Sequence, residues 1–131
     1  MADVFVALWR NAAKLEGRLS EQYPQEFDAA WIGSRAAGLA GDSGAHVLSR
    51  VSALQVATLL RAPETADAAR RIVVEGSGHT ALRLAALAAL GELGSWSDLP
   101  LLRELDGGRP PLSGAARTAA AKLMKRQKNN I

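Results

Sequence analysis

A recurrence of about 33 residues constrains this chain more than any other feature. Displaced by 33 positions, the sequence lays Arg50 on Arg83, Ala53 on Ala86, Leu54 on Leu87, Ala57 on Leu90 and His46 on His79. The preceding segments follow, with Ala68 on Leu101, Ala69 on Leu102, Arg70 on Arg103 and Ile72 on Leu105. A displacement of 34 carries Arg83 to Arg117, Ala86 to Ala120, Leu87 to Ala121 and Leu90 to Met124. Near the start, Arg10, Ala12, Ala13, Leu15 and Leu19 have the same look. The motif is an Arg, small residues two and three positions on, and a large apolar residue at seven. A period of this length marks units that cannot bury their apolar faces alone and must nest against their neighbours.

Each unit reads as a pair of helices. The chain has 26 Ala and 19 Leu against 7 Val and 3 Ile, a balance that favours helix over strand. Helical spacing of apolar residues predicts a first helix over 3–20, through Val4, Leu8, Ala12, Leu15 and Leu19. A second begins near Pro24, with Ile32, Ala36, Leu39 and Ala40 as its stripe. Further helices are expected at about 45–61, 64–75, 79–93, 97–106 and 113–127, divided by GDSG, Ala62-Pro63, EGSG, GSWSD and DGGRPP. The stretch RLAALAALGELG (83–94) carries charge only at Arg83 and Glu92. A helix this apolar needs neighbours on several sides, as in the middle of a stack. There Leu82, Ala86, Ala89, Leu90 and Leu93 would face its pair-mate, leaving Leu84, Leu87 and Ala88 for adjoining pairs. The last helix has a polar outer face, Lys122, Lys125 and Arg126, beside the apolar Ala116, Ala120, Leu123 and Met124. That is the pattern of an end cap. The first helix is less polar on its free side, which makes self-association there a possibility.

The segments ALRLAALAALGELGSWSDLPLLREL (81–105) and AARTAAAKLMKR (115–126) resemble HEAT repeats, especially the short type of roughly 30 residues found in phycobilisome-lyase-like proteins. The resemblance is good over 64–127, fair over 26–61 and weak before 26. It implies an all-α, right-handed α-solenoid of about 3.5 helical hairpins, about seven helices in all. The whole chain, 1–131, would be a single domain: an N-terminal helix 3–20 and pairs at 24–61, 63–93 and 97–127. Arg50, Arg83 and Arg117 match the family's inner-helix Arg. Asp42 and Glu75, each eight residues earlier, match its turn acid. Asp106 lies eleven before Arg117, so the third turn carries an insertion around RPP.

The chain has no Cys, which excludes disulfides and thiolate metal sites. Its first residues, MADVFVALWRNAAKLEG, carry charge at Asp3, Arg10 and Lys14 and make a poor signal peptide. No apolar run reaches the length of a membrane span, so no membrane association and a cytoplasmic location are expected. Net charge is +3, unevenly placed. Residues 107–131 hold Arg109, Arg117, Lys122, Lys125, Arg126 and Lys128 and no acid.

The candidate sites carry more than one reading. The Arg ladder would bind anions, or each guanidinium would pair with a turn acid or a helix carbonyl. His46 and His79, in register at helix starts, would approach a metal only with carboxylate help. The simpler reading makes them polar helix-start residues, with no metal or other cofactor. Trp96 fits a hydrophobic staple onto Leu101 across a cap at Ser97, or an interface anchor. Trp9 and Trp31 read as core. The C-terminal basic set would bind nucleic acid, or solvate a capping helix without aromatic partners. No Ser/His/acid arrangement, zinc-protease motif or phosphate loop is present, so no catalytic residue is expected. By analogy with the family, the expected role is a non-catalytic adaptor or scaffold that binds a protein partner on its inner-helix face. The positions facing out by register are Gln55, Leu59, Ala88, Glu92, Lys122 and Arg126, with Trp96 beside them. The alternative is a nucleic-acid-binding protein using the basic C-terminal helix, and a lesser one an accessory subunit like the HEAT-like lyases.

Overall fold

A computed structural model describes residues 28–75 and 79–129. Six helices and one 3-10 turn account for most of them, with no strand among the described residues. They are α1 (Ala29–Ala40), α2 (Val47–Leu59), α3 (Thr65–Glu75), α4 (Thr80–Leu93), the 3-10 turn Trp96–Asp98, α5 (Leu99–Asp106) and α6 (Leu112–Asn129). The expected helix over 3–20, Pro24 and Trp9 lie outside the described residues. The chain divides into two compact units, Met1–Thr65 and Ala66–Ile131.

In the first unit α1 packs on α2. Asp28 starts α1, accepting the Trp31 N–H at 3.1 Å. The buried face of α1 is Gly33, Ala36, Ala37 and Ala40. It is rotated from the expected stripe, since Ile32 and Leu39 are only half-buried. A Cβ on Gly33 would stand 3.0 Å from that of Ala62, so the glycine permits close contact there. Trp31, expected in the core, is 56% exposed, and Arg35 lies over its ring at 5.6 Å. An indole is too large for the Ala-lined contact between α1 and α2. His46 starts α2, with Nδ1 accepting the Leu48 N–H at 3.2 Å, and Ala53, Leu54, Val56 and Ala57 are buried. The helix ends in a Schellman turn, with Ala62 N–H donating to the Ala57 carbonyl and Arg61 N–H to that of Thr58. Arg61 occupies the left-handed position, φ 56°, that glycine normally fills.

In the second unit α6 packs on both α4 and α5. Three contacts fix the direction of the α4–α6 pair. A Cβ on Gly91 would meet Ala119 Cα at 3.1 Å, Glu92 accepts from Lys122, and Arg126 reaches the carbonyls of Gly91 and Gly94. Residue numbers rise together on both helices, so they run parallel. The buried residues of α4 include Leu82, Ala86, Leu87 and Leu90, and those of α6 Ala116, Ala119, Ala120 and Leu123. Of the positions the recurrence aligns, Ala53 and Ala86 are both 0% exposed and Ala120 is buried, but Ala121, aligned with buried Leu87, is exposed. Met124, assigned to the apolar face, is 39% exposed, and Ala119 is buried instead. Each fully buried leucine contributes about 1.5–3 kcal/mol.

One buried ion pair joins α3 to the turn before α5. Asp98, 1% exposed, accepts from Arg70 Nε and Nη2 and from the Ser95 N–H. Burial pushes its carboxyl up. The Arg70 hydrogen bonds, the Ser95 N–H and the Arg70 charge outweigh that and hold it below the ordinary aspartate range. Arg70 is raised in turn, chiefly by its hydrogen bonds to Asp98, against some desolvation.

Candidate docking groove

The parallel seating of α4 and α6 leaves a groove of about 230 Å³ between them. Its walls are Leu84 and Ala88 of α4 and Gly114, Ala115, Thr118 and Lys122 of α6, with Ala119 adjoining both. Spacing explains the alignment. Residues 84 and 88 are one turn apart, and 114, 118 and 122 are successive turns of one stripe. The lining is mainly small and apolar, and its two polar side chains, Thr118 and Lys122, have partners within the chain. Thr118 donates its hydroxyl back to the Gly114 carbonyl at 3.1 Å. Lys122 is the one charged side chain among the described lining residues. It pairs with Glu92 at 3.1 Å, and both side chains remain well exposed, 57% and 39%.

Two glycines in the α4–α6 pair play opposite parts. Gly91 permits a close approach, because a Cβ there would stand 3.1 Å from Ala119 Cα. A Cβ on Gly114 would meet nothing within 4 Å, so the fold does not require that glycine. Its absent side chain keeps the groove open.

The residues expected to bind a partner fall as follows. Ala88, exposed, lines the groove, as does Lys122, and Glu92 stands at its mouth. Arg126 is half-buried and engaged, donating through Nε to the Gly91 carbonyl at 3.0 Å and through Nη2 to that of Gly94 at 3.1 Å. It closes the negative end of α4. Gln55, half-buried, and Leu59, 47% exposed, lie on α2 in the first unit. Trp96 is 51% exposed and opens the 3-10 turn. Ser95, not Ser97, caps that turn, so Trp96 lies inside it rather than before the cap. Ser97 instead shares a 2.6 Å hydrogen bond with Ser95.

The Arg ladder is mostly engaged. Arg50 Nε donates to the Ala40 carbonyl at 2.9 Å rather than to Asp42, whose carboxylate accepts the Gly44 N–H. Arg117 pairs with Asp106 at 2.8–2.9 Å, across the inserted turn. Arg83 Nε is buried without a partner among the described residues. His46 and His79 are both helix N-caps, and no group of three or more His, Asp or Glu side chains among the described residues is placed to hold a metal. No described helix is long and apolar enough to cross a membrane. Sequence reasoning missed Arg70–Asp98, Gly91 and Gly114. The two glycines were visible as helix-weakening residues inside otherwise strong helical segments.

No family model, no curated protein and no solved structure matches this chain.

Proposed function

We propose that this chain is a non-catalytic, HEAT-like interaction module, a right-handed stack of hairpins that takes a partner protein in the α4–α6 groove. The observation that carries the reading is Gly114. Glycine is a weaker helix former than alanine, and among the described residues none stands within 4 Å of the place a Cβ on Gly114 would take. A backbone arriving from outside would use that space. The parallel α4–α6 pair and the recurrence of buried Ala53, Ala86 and Ala120 support the stacked-hairpin architecture. The nucleic-acid alternative draws less support. Of the six cations in 107–131, Arg117, Lys122 and Arg126 are held by groups of the chain itself. No described aromatic side chain lines the groove.

The test is site-specific photocrosslinking in the native cell, with benzoylphenylalanine at position 88, at 118, or at exposed Arg103 as control. A shared protein adduct from 88 and 118 and none from 103 is the expected result. The same adducts from all three positions, or none from 88 and 118, would overturn the reading.

A further inference from the structure

We infer that the Asp106–Gly107 bond is a site of spontaneous aspartyl isomerisation, and that Arg117 holds the reaction in check. The chemistry needs a side-chain carboxyl followed by an unhindered backbone amide. The Gly107 nitrogen attacks Asp106 Cγ and closes a succinimide ring, and the carboxyl OH departs with the amide proton as water. Water then reopens the ring at either carbonyl. Opening at the main-chain carbonyl leaves the backbone running through Cβ and Cγ, with the former main-chain carbonyl as a free carboxylate. Of the six aspartates, Asp106 alone precedes glycine, so no side chain shields the attacking nitrogen.

The place in the fold matters as much. Asp106 is the last residue of α5, and the exposed Gly107 and Gly108 follow it. Helical backbone keeps Cγ away from the next nitrogen, so the reaction waits on opening of the last turn. Helix ends open readily, and two glycines beyond the end widen the freedom of the chain. Gly107 has φ −78° and ψ −2°, which any residue adopts, and a Cβ there would stand 3.5 Å from the Glu104 carbonyl oxygen, an ordinary contact. The fold does not require glycine at the position where glycine exposes the bond.

Arg117 supplies the restraint. Its Nε and Nη2 both reach Asp106 Oδ1, at 2.9 and 2.8 Å. The contact keeps the carboxylate ionised, hence a poor electrophile, and turned toward α6. Both side chains are partly exposed, so the contact slows the reaction without forbidding it.

The experiment ages the full chain at neutral pH, below its melting transition. Peptide mapping with electron-transfer fragmentation separates the two linkages, and a free peptide of residues 104–109 gives the unrestrained rate. Isoaspartate should accumulate at 106, more slowly than in the peptide, and not at Asp42, an exposed turn aspartate followed by serine. Gly107→Ala should nearly abolish it. Arg117→Gln should speed it about twofold to fivefold, the factor that an exposed pair sets, whereas Lys125→Gln on the same helix should leave it unchanged. Salt screens such a pair and should speed the reaction in the wild-type chain, but not in Arg117→Gln or the peptide. Circular dichroism confirms that each variant is folded; should Arg117→Gln unfold, the salt dependence of wild type against peptide decides. No isoaspartate at 106, as much at 42, or its persistence in Gly107→Ala overturns the site. An unchanged rate in folded Arg117→Gln, equal acceleration by Lys125→Gln, or a wild-type rate indifferent to salt overturns the part given to Arg117.

Discussion

Asp98→Asn removes a charge while keeping shape, and the structure sets how much that should matter. Asp98 is almost wholly buried and holds three donors, two on Arg70 and the Ser95 N–H. Asparagine can keep the Ser95 bond but leaves Arg70 without its buried anion. Breaking a buried pair on one side typically costs 3–5 kcal/mol. Here Arg70 is about a third exposed and retains a 2.7 Å contact with Asp67, an exposed carboxylate. Those two facts reduce the expected loss to about 2 kcal/mol, or roughly 6–10 °C in Tm for a chain of this size. Urea unfolding followed by circular dichroism at 222 nm measures it. Acid supplies a second check. The Asp98 carboxyl titrates lower in the folded chain than in the unfolded one. Its contribution is therefore present above the unfolded value, about 3.9, and is lost as pH falls through the folded value. The gap between wild type and variant should be level from about pH 5 to 8 and should narrow below about pH 4. A loss under about 0.5 kcal/mol at neutral pH, or a gap that widens in acid, would refute the assignment of Asp98 as the clamp between α3 and the α5 turn.

Three further perturbations follow from the same structure. Gly91→Ala forces a methyl against the Ala119 backbone at 3.1 Å and should destabilise by about 1–2 kcal/mol despite better helix propensity, whereas Gly114→Ala should stabilise by about 0.5–1 kcal/mol in thermal melts. Arg61→Gly relieves a left-handed arginine and should raise stability by about 0.5–1 kcal/mol, a loss in denaturant melts contradicting the Schellman assignment. Arg126→Ala should cost about 1 kcal/mol and speed amide exchange at the end of α4, while Lys125→Ala leaves both unchanged within error.

The helices were legible in the sequence where pattern and punctuation agreed. α2, α3 and α4 begin and end within two residues of the positions that periodicity and the GDSG, Ala-Pro and EGSG breaks imply. Face assignment was less secure in Ala-rich helices, because alanine is at home buried or exposed. Thus Ala37 and Ala119 are buried where Leu39 and Met124 were expected, and Trp31 lies outside. Partners separated by about thirty residues were harder still. Arg70 and Asp98 look like ordinary surface charges until the fold brings them together. The groove was legible only in part, through the small Ala88 and the register of Lys122. Gly114 could not be distinguished from a structural glycine without knowing what surrounds it.

The parallel pairing of α4 and α6 underlies the groove and the capping role of Arg126, and one spectrum addresses it directly. In a carbon-edited NOESY experiment on labelled protein, Gly91 Hα should show a strong cross-peak to the Ala119 methyl group, since a Cβ at Gly91 would stand 3.3 Å from that methyl carbon. With both resonances assigned, a missing Gly91–Ala119 cross-peak, or cross-peaks from the Leu84 methyl groups to Met124 in place of Ala115, would contradict the parallel seating of the two helices.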